Sequence, residues 1–302
     1  MTRVHGWIVL DKARGMSSAA AVAKVKRATG AAKAGHAGTL DPLATGVLPI
    51  ALGEATKTVA YAMSAEKEYA FTVRWGEARD TGDAEGAVTA TSDVRPHDAA
   101  VRAILPRFTG TILQSPPAFS AVKIGGRRAY DLARKGEAPV LAPREVQIHR
   151  LELIQTGADE ASFHVACGKG TYIRSLGTDL AHALGTEAHV TALRRTRVGR
   201  FTAETAIPLE NLSNFGDSAP HNHPHLLAVE TVLDDIPALA LNADEAERLR
   251  HGQSVEVRRA GDQDLVGRLV EGAVICAFSG GKAVALATIA GGHLRPVRVL
   301  NH

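Results

Sequence analysis

The sequence predicts an α+β fold, with a large domain of sheet and helices over residues 1–233 and a small β-barrel over 234–302. Three observations carry this. Tyr69, Phe71, Val73 and Trp75 alternate with polar or small residues, the pattern of a strand with one buried face. Ser17-Ser18 and Thr171 stand before segments of helical character, where a hydroxyl caps the first turn. Beyond Asp234, Gly252, Gly261, Gly267, Gly272 and the Gly280-Gly281 pair cut the tail into short strands, the spacing of a small barrel.

In chain order, Gly6 to Asp11 (GWIVLD) reads as a short apolar strand. A helix follows from Ser17 or Ser18 through Val22 and Val25 to Gly30, with Lys24, Lys26 and Arg27 outward. Gly35 to Gly46 (GHAGTLDPLATG) is neither regular helix nor central strand, because three glycines and Pro42 punctuate it. Val47 to Leu52 is a buried apolar run interrupted by Pro49, and the Tyr69 strand comes next. Asp98 to Phe108 is helical, and Val146 to Ile154 alternates again as a strand. Phe163, Val165 and Cys167 form one face of another strand, which ends in Gly168-Lys169-Gly170; Thr171 then caps a helix running to about Leu184. Asn211 to His225 is polar, with Gly and two prolines, and reads as a surface loop or linker. A short helix over Ala243 to Arg250 precedes the strands of the tail.

Composition narrows the classes. The 302 residues are 45% hydrophobic and 22% charged, ordinary for a globular protein. Two cysteines, Cys167 and Cys276, build no disulfide framework and favour a reducing cytosol. The N-terminal apolar run is too short for a signal peptide, and no stretch approaches the roughly 20 apolar residues of a membrane span. A cytoplasmic protein without a membrane partner is expected. No hydrophobic heptad suggests a dimer, so the expected state is a monomer.

The net charge is only +3 but unevenly spread. Lys12, Arg14, Lys24, Lys26, Arg27 and Lys33 occur with no acid among them; Lys123, Arg127, Arg128, Arg134, Lys135 and Arg144 form a second group, and Arg194, Arg195, Arg197 and Arg200 a third. Phe201 to Glu247 holds no Lys or Arg. Solvated helix faces are the plainer reading of such runs, and a polyanion-binding surface is the functional one.

In GHAGTLDPLATG, glycines free the backbone on both sides and Pro42 fixes the chain just after Asp41, so a stiff loop presents one carboxylate. An isolated Asp-Pro is usually only a turn. The longer run GHAGTLDPLATGVLPIALGEATK (Gly35 to Lys57), however, closely resembles the catalytic motif of the TruB family, the bacterial tRNA pseudouridine-55 synthases. Gly6 to Ser17 (GWIVLDKARGMS), Glu66 to Tyr69 (EKEY), Thr81-Gly82-Asp83, Gln114 to Lys123 (QSPPAFSAVK), Cys167 to Ser175 (CGKGTYIRS) and Ala192 to Phe201 (ALRRTRVGRF) resemble further motifs of that family in the same order. Ala13 and Ser17 stand where the family usually has Pro and Thr, Ala37 is a further departure, and Phe119 replaces a frequent Tyr, so a role for that hydroxyl does not carry over. The tail, with Gly252-Gln253 and GHLRPVRV (Gly292 to Val299), resembles the family's C-terminal domain, which is similar to the PUA module.

The resemblance implies a pseudouridine synthase domain with a mixed or antiparallel sheet, acting on the TΨC stem-loop of tRNA by flipping uridine 55 out of the stack. It implies Asp41 as catalytic carboxylate, Arg174 as its partner, and Tyr69 against the flipped uracil. It further implies that His36, Tyr172, Lys12, Lys123 and Leu193 contact the substrate. The chemistry agrees with these residue types. Isomerisation breaks C1′–N1, turns the base and joins C1′ to C5, with no redox change or net hydrolysis, so neither metal nor other cofactor is expected. A carboxylate can capture or stabilise the intermediate, and an Arg that holds both its oxygens favours its charged form. An aromatic ring can stack on the base. Attack at C1′, addition to C6 and base action on the sugar all remain open routes for Asp41. The alternatives are a non-catalytic RNA-binding or RNA-folding protein and a uridine isomerase of another RNA.

Other signals are set aside. Gly168-Lys169-Gly170-Thr171 lacks the glycine spacing of a phosphate loop, and Lys282 after Gly280-Gly281 fails likewise. His221, His223 and His225, with Cys167 or Cys276, match no zinc spacing. Asp80 and Asp83 in their glycine-rich segment fit a turn or cap better than a glycosidase pair.

Overall fold

A computed structural model describes residues 4–120, 122–137, 140–212, 215, 223–257, 267, 269 and 271–302, apart from the side chain of Arg128. His221, Gly261 and much of the 211–225 loop lie outside the described residues. The elements, in order, begin with β1 (Gly6–Lys12), α1 (Ser18–Thr29), β2 (Ala34–His36), β3 (Thr45–Leu52), α2 (Val59–Ser64) and β4 (Lys67–Trp75). Next come β5 (Glu77–Arg79), β6 (Val88–Thr91), α3 (Asp98–Ile104), β7 (Gly110–Gln114), β8 (Lys123–Ile124), β9 (Arg127–Arg128) and α4 (Ala129–Ala133). Then follow β10 (Arg144–Thr156), β11 (Glu160–Cys167), α5 (Ile173–Ala183), β12 (Ala188–Val198) and β13 (Phe201–Thr202). The tail holds β14 (Ala238–Ala240), α6 (Ala243–Arg250), β15 (Val255–Glu256), β16 (Val274–Ser279), β17 (Lys282–Ala290) and β18 (His293–Val299).

The fold is mixed α+β. Nine strands form one sheet in the order β1-β3-β12-β4-β11-β10-β7, with β2 on β3 and β13 on β12. Only the β3–β12 pair is parallel. The alternation read for β4 is real: Lys67, Tyr69, Phe71, Val73 and Trp75 are buried, and the residues between them are more open. On the buried face Phe71 stacks on Phe163 at 5.1 Å, and α5 packs across β4 and β12. That packing is close. A Cβ on Gly177 would stand 2.9 Å from a Val73 methyl, so this helix carries glycine despite its cost of about 1 kcal/mol against Ala.

Helix α1 has the expected ends, with Ser17 accepting from the Ala20 N–H and Gly30 left-handed at the C-terminus. For α5 the expected cap is displaced. The helix starts at Ile173, and the Thr171 hydroxyl donates back to the Gly168 carbonyl instead. Gln114, 1% exposed, satisfies this corner by accepting from the Tyr172 N–H at 2.7 Å and donating to the Tyr172 carbonyl at 3.1 Å. The helix expected over 98–108 divides into α3 and a 3-10 turn, Leu105–Phe108. Pro49 lies within β3, in register with Val9. The N and the carbonyl of a strand residue point the same way. The Pro49 carbonyl accepts from Ala37, so the missing donor faces the end of β2 and costs the β1–β3 ladder nothing.

The tail forms a five-stranded curled sheet, ordered β14-β16-β17-β18-β15. Among the described residues no ladder joins its two ends, so it is a half-barrel. It shares a core with the back of the large sheet: Trp7, Val9, Phe201 and Leu233 pack with Cys276, Leu286 and Leu300. Strand β1 is therefore buried on both faces.

Candidate active site

Asp41 sits in the loop between β2 and β3, and that loop is held from several sides. The Ser18 hydroxyl donates to the Leu40 carbonyl at 2.9 Å and accepts from the Leu40 N–H at 2.8 Å. The Lys12 ammonium donates to the carbonyls of Met16, Ala13 and Pro42 at 2.7, 3.0 and 3.4 Å. Burial lowers the Lys12 pKa to about 8, against the pull of Asp41 and Glu85. Arg195 donates to the Val47 and Gly38 carbonyls at 2.7 and 3.1 Å, bracketing the loop. Gly46 has φ +97°, and a Cβ there would collide with the Arg195 carbonyl oxygen. One carboxylate is thereby presented on a rigid support, as the glycine and proline pattern implies.

Arg174, in the first turn of α5, is 5% exposed and meets Asp41, whose side chain is 36% exposed. Its Nε donates to an Asp41 carboxylate oxygen at 2.9 Å. Nη1 donates to the Thr81 carbonyl at 2.6 Å and Nη2 to the Phe119 carbonyl at 2.8 Å. Asp83 stands 3.6 Å from the same Nε, so the buried guanidinium lies between two carboxylates. Each face of the fork is thus directed, and a buried ion pair needs such completeness to be stable. The Thr81 to Glu85 turn has the local role expected for it, with Asp83 accepting from the Thr81 hydroxyl and the Glu85 N–H, and Asp80 accepting from the Ala87 N–H. It also aligns Arg174, which the sequence reading missed. Phe119 acts here through its carbonyl, and its ring meets Tyr130 edge-on at 6.0 Å.

Asp41, Tyr69, Tyr172, Arg174 and Leu193 line one cavity of about 700 Å³, with Lys67, Arg144, Lys169 and Arg195 also in its wall. Tyr69 is buried, and burial raises its phenol pKa while Arg195 pulls the other way. Lys67 bonds the Ala65 and Met63 carbonyls at 2.7 and 2.8 Å, and burial lowers its pKa to about 8. Burial likewise raises the Cys167 thiol to about 11, so it is not a nucleophile at neutral pH. Arg144 stacks on Tyr172, 5.1 Å from the ring centre, and donates to the Gly170 carbonyl at 2.6 Å.

Three sequence candidates stand outside this wall. Lys12 is buried beneath the Asp41 loop, with its ammonium turned to backbone carbonyls. Its expected place as a substrate contact is thus set behind the loop, at the Pro42 carbonyl and not in the cavity wall. The β-strand register that buries the rest of β1 also carries Lys12 inward. His36 is half-buried at the end of β2, opposite Ile50. Lys123 is exposed on the β8–β9 hairpin with Arg127, Arg134 and Lys135 around it. Among the described residues no group of three His, Cys, Asp or Glu side chains is arranged to hold a metal ion, and no helix is long and apolar enough to cross a membrane.

Residues 26–173 match the TruB family pseudouridylate synthase N-terminal domain, and 174–234 match the tRNA pseudouridylate synthase B C-terminal domain. The chain is 53% identical to the tRNA pseudouridine synthase B of Bradyrhizobium diazoefficiens, over 99% of this chain and 86% of the relative. It is 51% identical to that of Gluconacetobacter diazotrophicus, over 98% and 97%. Among solved structures, it resembles a chain of a Cbf5-Nop10-Gar1 complex with TM-score 0.73 and 26% identity, covering 98% of this chain and 85% of that one. An archaeal box H/ACA sRNP Nop10-Cbf5 complex matches with TM-score 0.72 and 25% identity, covering 98% and 86%. Sequence, fold and the Asp41 loop agree: the chain belongs to the TruB family of pseudouridylate synthases.

Proposed function

We propose that this chain isomerises uridine 55 in the TΨC loop of tRNA to pseudouridine, with Asp41 as the catalytic carboxylate. The observation that carries the reading is the Asp41–Arg174 pair at the wall of the cavity that Tyr69 and Leu193 also line. One carboxylate oxygen is bonded to a buried guanidinium whose three nitrogens each donate a hydrogen bond, and the other is left to meet the sugar or the base. The cavity falls in the size range of small-ligand pockets, about 300–1,000 Å³. A flipped uracil enters against Tyr69; the C1′–N1 bond breaks, the base turns, C1′ joins C5, the C5 proton leaves and N1 takes up a proton, so that the product is an isomer of the substrate. Tyr172, Leu193 and His36 are read as substrate contacts, and Lys123 as part of a basic surface for the phosphates. Flipping costs about a few kcal/mol, which stacking and phosphate contacts offset.

The names of the relatives support tRNA as substrate, and the reading takes the protein to act as a monomer in the cytoplasm. The test is tritium release from a C5-tritiated uridine at position 55 of a TΨC stem-loop, with unrelated tritiated stem-loops in parallel. Release from the TΨC loop alone is expected. Release only from another stem-loop reassigns the substrate, and binding with no release from any RNA supports an RNA-folding protein.

A further inference from the structure

Arg195 is 1% exposed and lies in β12, between β4, which bears Tyr69, and β3, into which the Asp41 loop runs. Its Cα is in register with Tyr69 of β4 on one side and with Gly46 of β3 on the other. Residues opposed across a ladder project from the same face, so the guanidinium reaches the cavity beside the Tyr69 phenol. The fork then crosses to the catalytic loop, bonding the Val47, Gly38 and Thr39 carbonyls at 2.7, 3.1 and 3.5 Å. Its neighbours Arg194 and Arg197 are matched by carboxylates, Asp11 for the first and Glu66 and Glu68 for the second. Arg195 has no carboxylate within ion-pair distance among the described residues. Its nearest charged neighbours include two further cations, Lys12 and Lys67, whose ammonium groups it disfavours. A buried cation in such company is costly for stability alone, where an apolar side chain would fill the space at less expense.

We propose that Arg195 is a positioning residue of the isomerisation, a single guanidinium that fixes the Asp41 loop and orients the Tyr69 phenol, and so sets the spacing of carboxylate and phenol around the flipped base. The proposal rests on the isomerase reading above. A lysine there keeps the charge and loses the planar fork that holds several carbonyls at once.

The test uses the full chain and a C5-tritiated TΨC stem-loop under single turnover with enzyme in excess. Wild type, Arg195→Lys, Tyr69→Phe and the double variant are compared, with RNA affinity and thermal unfolding measured on each. Arg195→Lys is expected to bind RNA within about twofold of wild type and to lose about tenfold or more in rate. In the Tyr69→Phe background the same change is expected to cost several-fold less, because the phenol it orients is already gone. An unchanged rate in Arg195→Lys overturns the proposal. So does a loss fully matched by weaker RNA binding, or one of equal size in both backgrounds. If Arg195→Lys fails to fold, Arg195→Gln, which keeps a planar donor, takes its place under the same criteria. A wild type that binds the stem-loop without releasing tritium defeats the isomerase reading itself, and that outcome is distinct from all of these.

Discussion

The cations around the cavity and those on the β8–α4 hairpin are the same residue types put to opposite uses. Lys12, Lys67, Arg174 and Arg195 are buried and spend their donors largely on backbone carbonyls. Lys123, Arg127, Arg134 and Lys135 are exposed, and Arg134 lies on the face of Tyr130 with its charge toward solvent. The first group shapes a rigid site; the second supplies a field that a phosphate backbone can meet. Clustered charge in a sequence therefore carries no single meaning. What separates the two groups is whether the strand or helix that carries the side chain turns it inward.

The comparison predicts that inner and outer substitutions fail differently. The largest effect is expected for Arg174→Lys, which keeps the charge but cannot serve Asp41, Thr81 and Phe119 together. The single-turnover rate should fall by about 10²-fold with RNA affinity nearly unchanged. A loss confined to affinity would erase the distinction between inner and outer cations. Next is the outer pair Arg134→Ala with Lys135→Ala. Binding of the stem-loop should weaken several-fold, and the slope of log affinity against log salt should drop by about one for each phosphate contact removed. The rate at saturating enzyme should hold.

The smallest effect concerns a half-buried carboxylate, Glu230, at the rear, where the half-barrel meets the large domain. Burial alone would raise Glu230, but bonds from His302 and the Ala283 N–H override it and hold its pKa at about 2. A folded-state value below the ordinary 4.5 stabilises the fold above that pH, and the contribution is lost as pH falls toward 2. Thermal unfolding of Glu230→Gln should thus depend less on pH between about 4.5 and 2 than that of wild type. Equal dependence in the two proteins would show that this carboxylate contributes little.

Much of the fold was legible because the deciding information is local. The alternation of β4, the serine and glycine ends of α1, and helix α6 with Asn242 and Glu245 capping each other all lie within a few residues of where they act. The loop around Asp41 was legible for the same reason. What the sequence hid is non-local. Thr171 looked like the α5 cap, but the side chain serving that corner comes from Gln114 on another strand. Strand β1 is apolar on both faces because the half-barrel, more than two hundred residues later in the chain, covers the second one. Lys12 and Arg195 read as surface charge because their partners are carbonyls, which leave no mark in a sequence.

The central claim is that chemistry resides on the Asp41 carboxylate and binding does not. It is tested most directly by tritium release from the C5-tritiated TΨC stem-loop by wild type and Asp41→Asn, with RNA affinity measured alongside. Asp41→Asn should bind the RNA about as well as wild type and release no tritium above background. Release by the variant at a rate near that of wild type would contradict the account and move the chemistry to another group in the cavity.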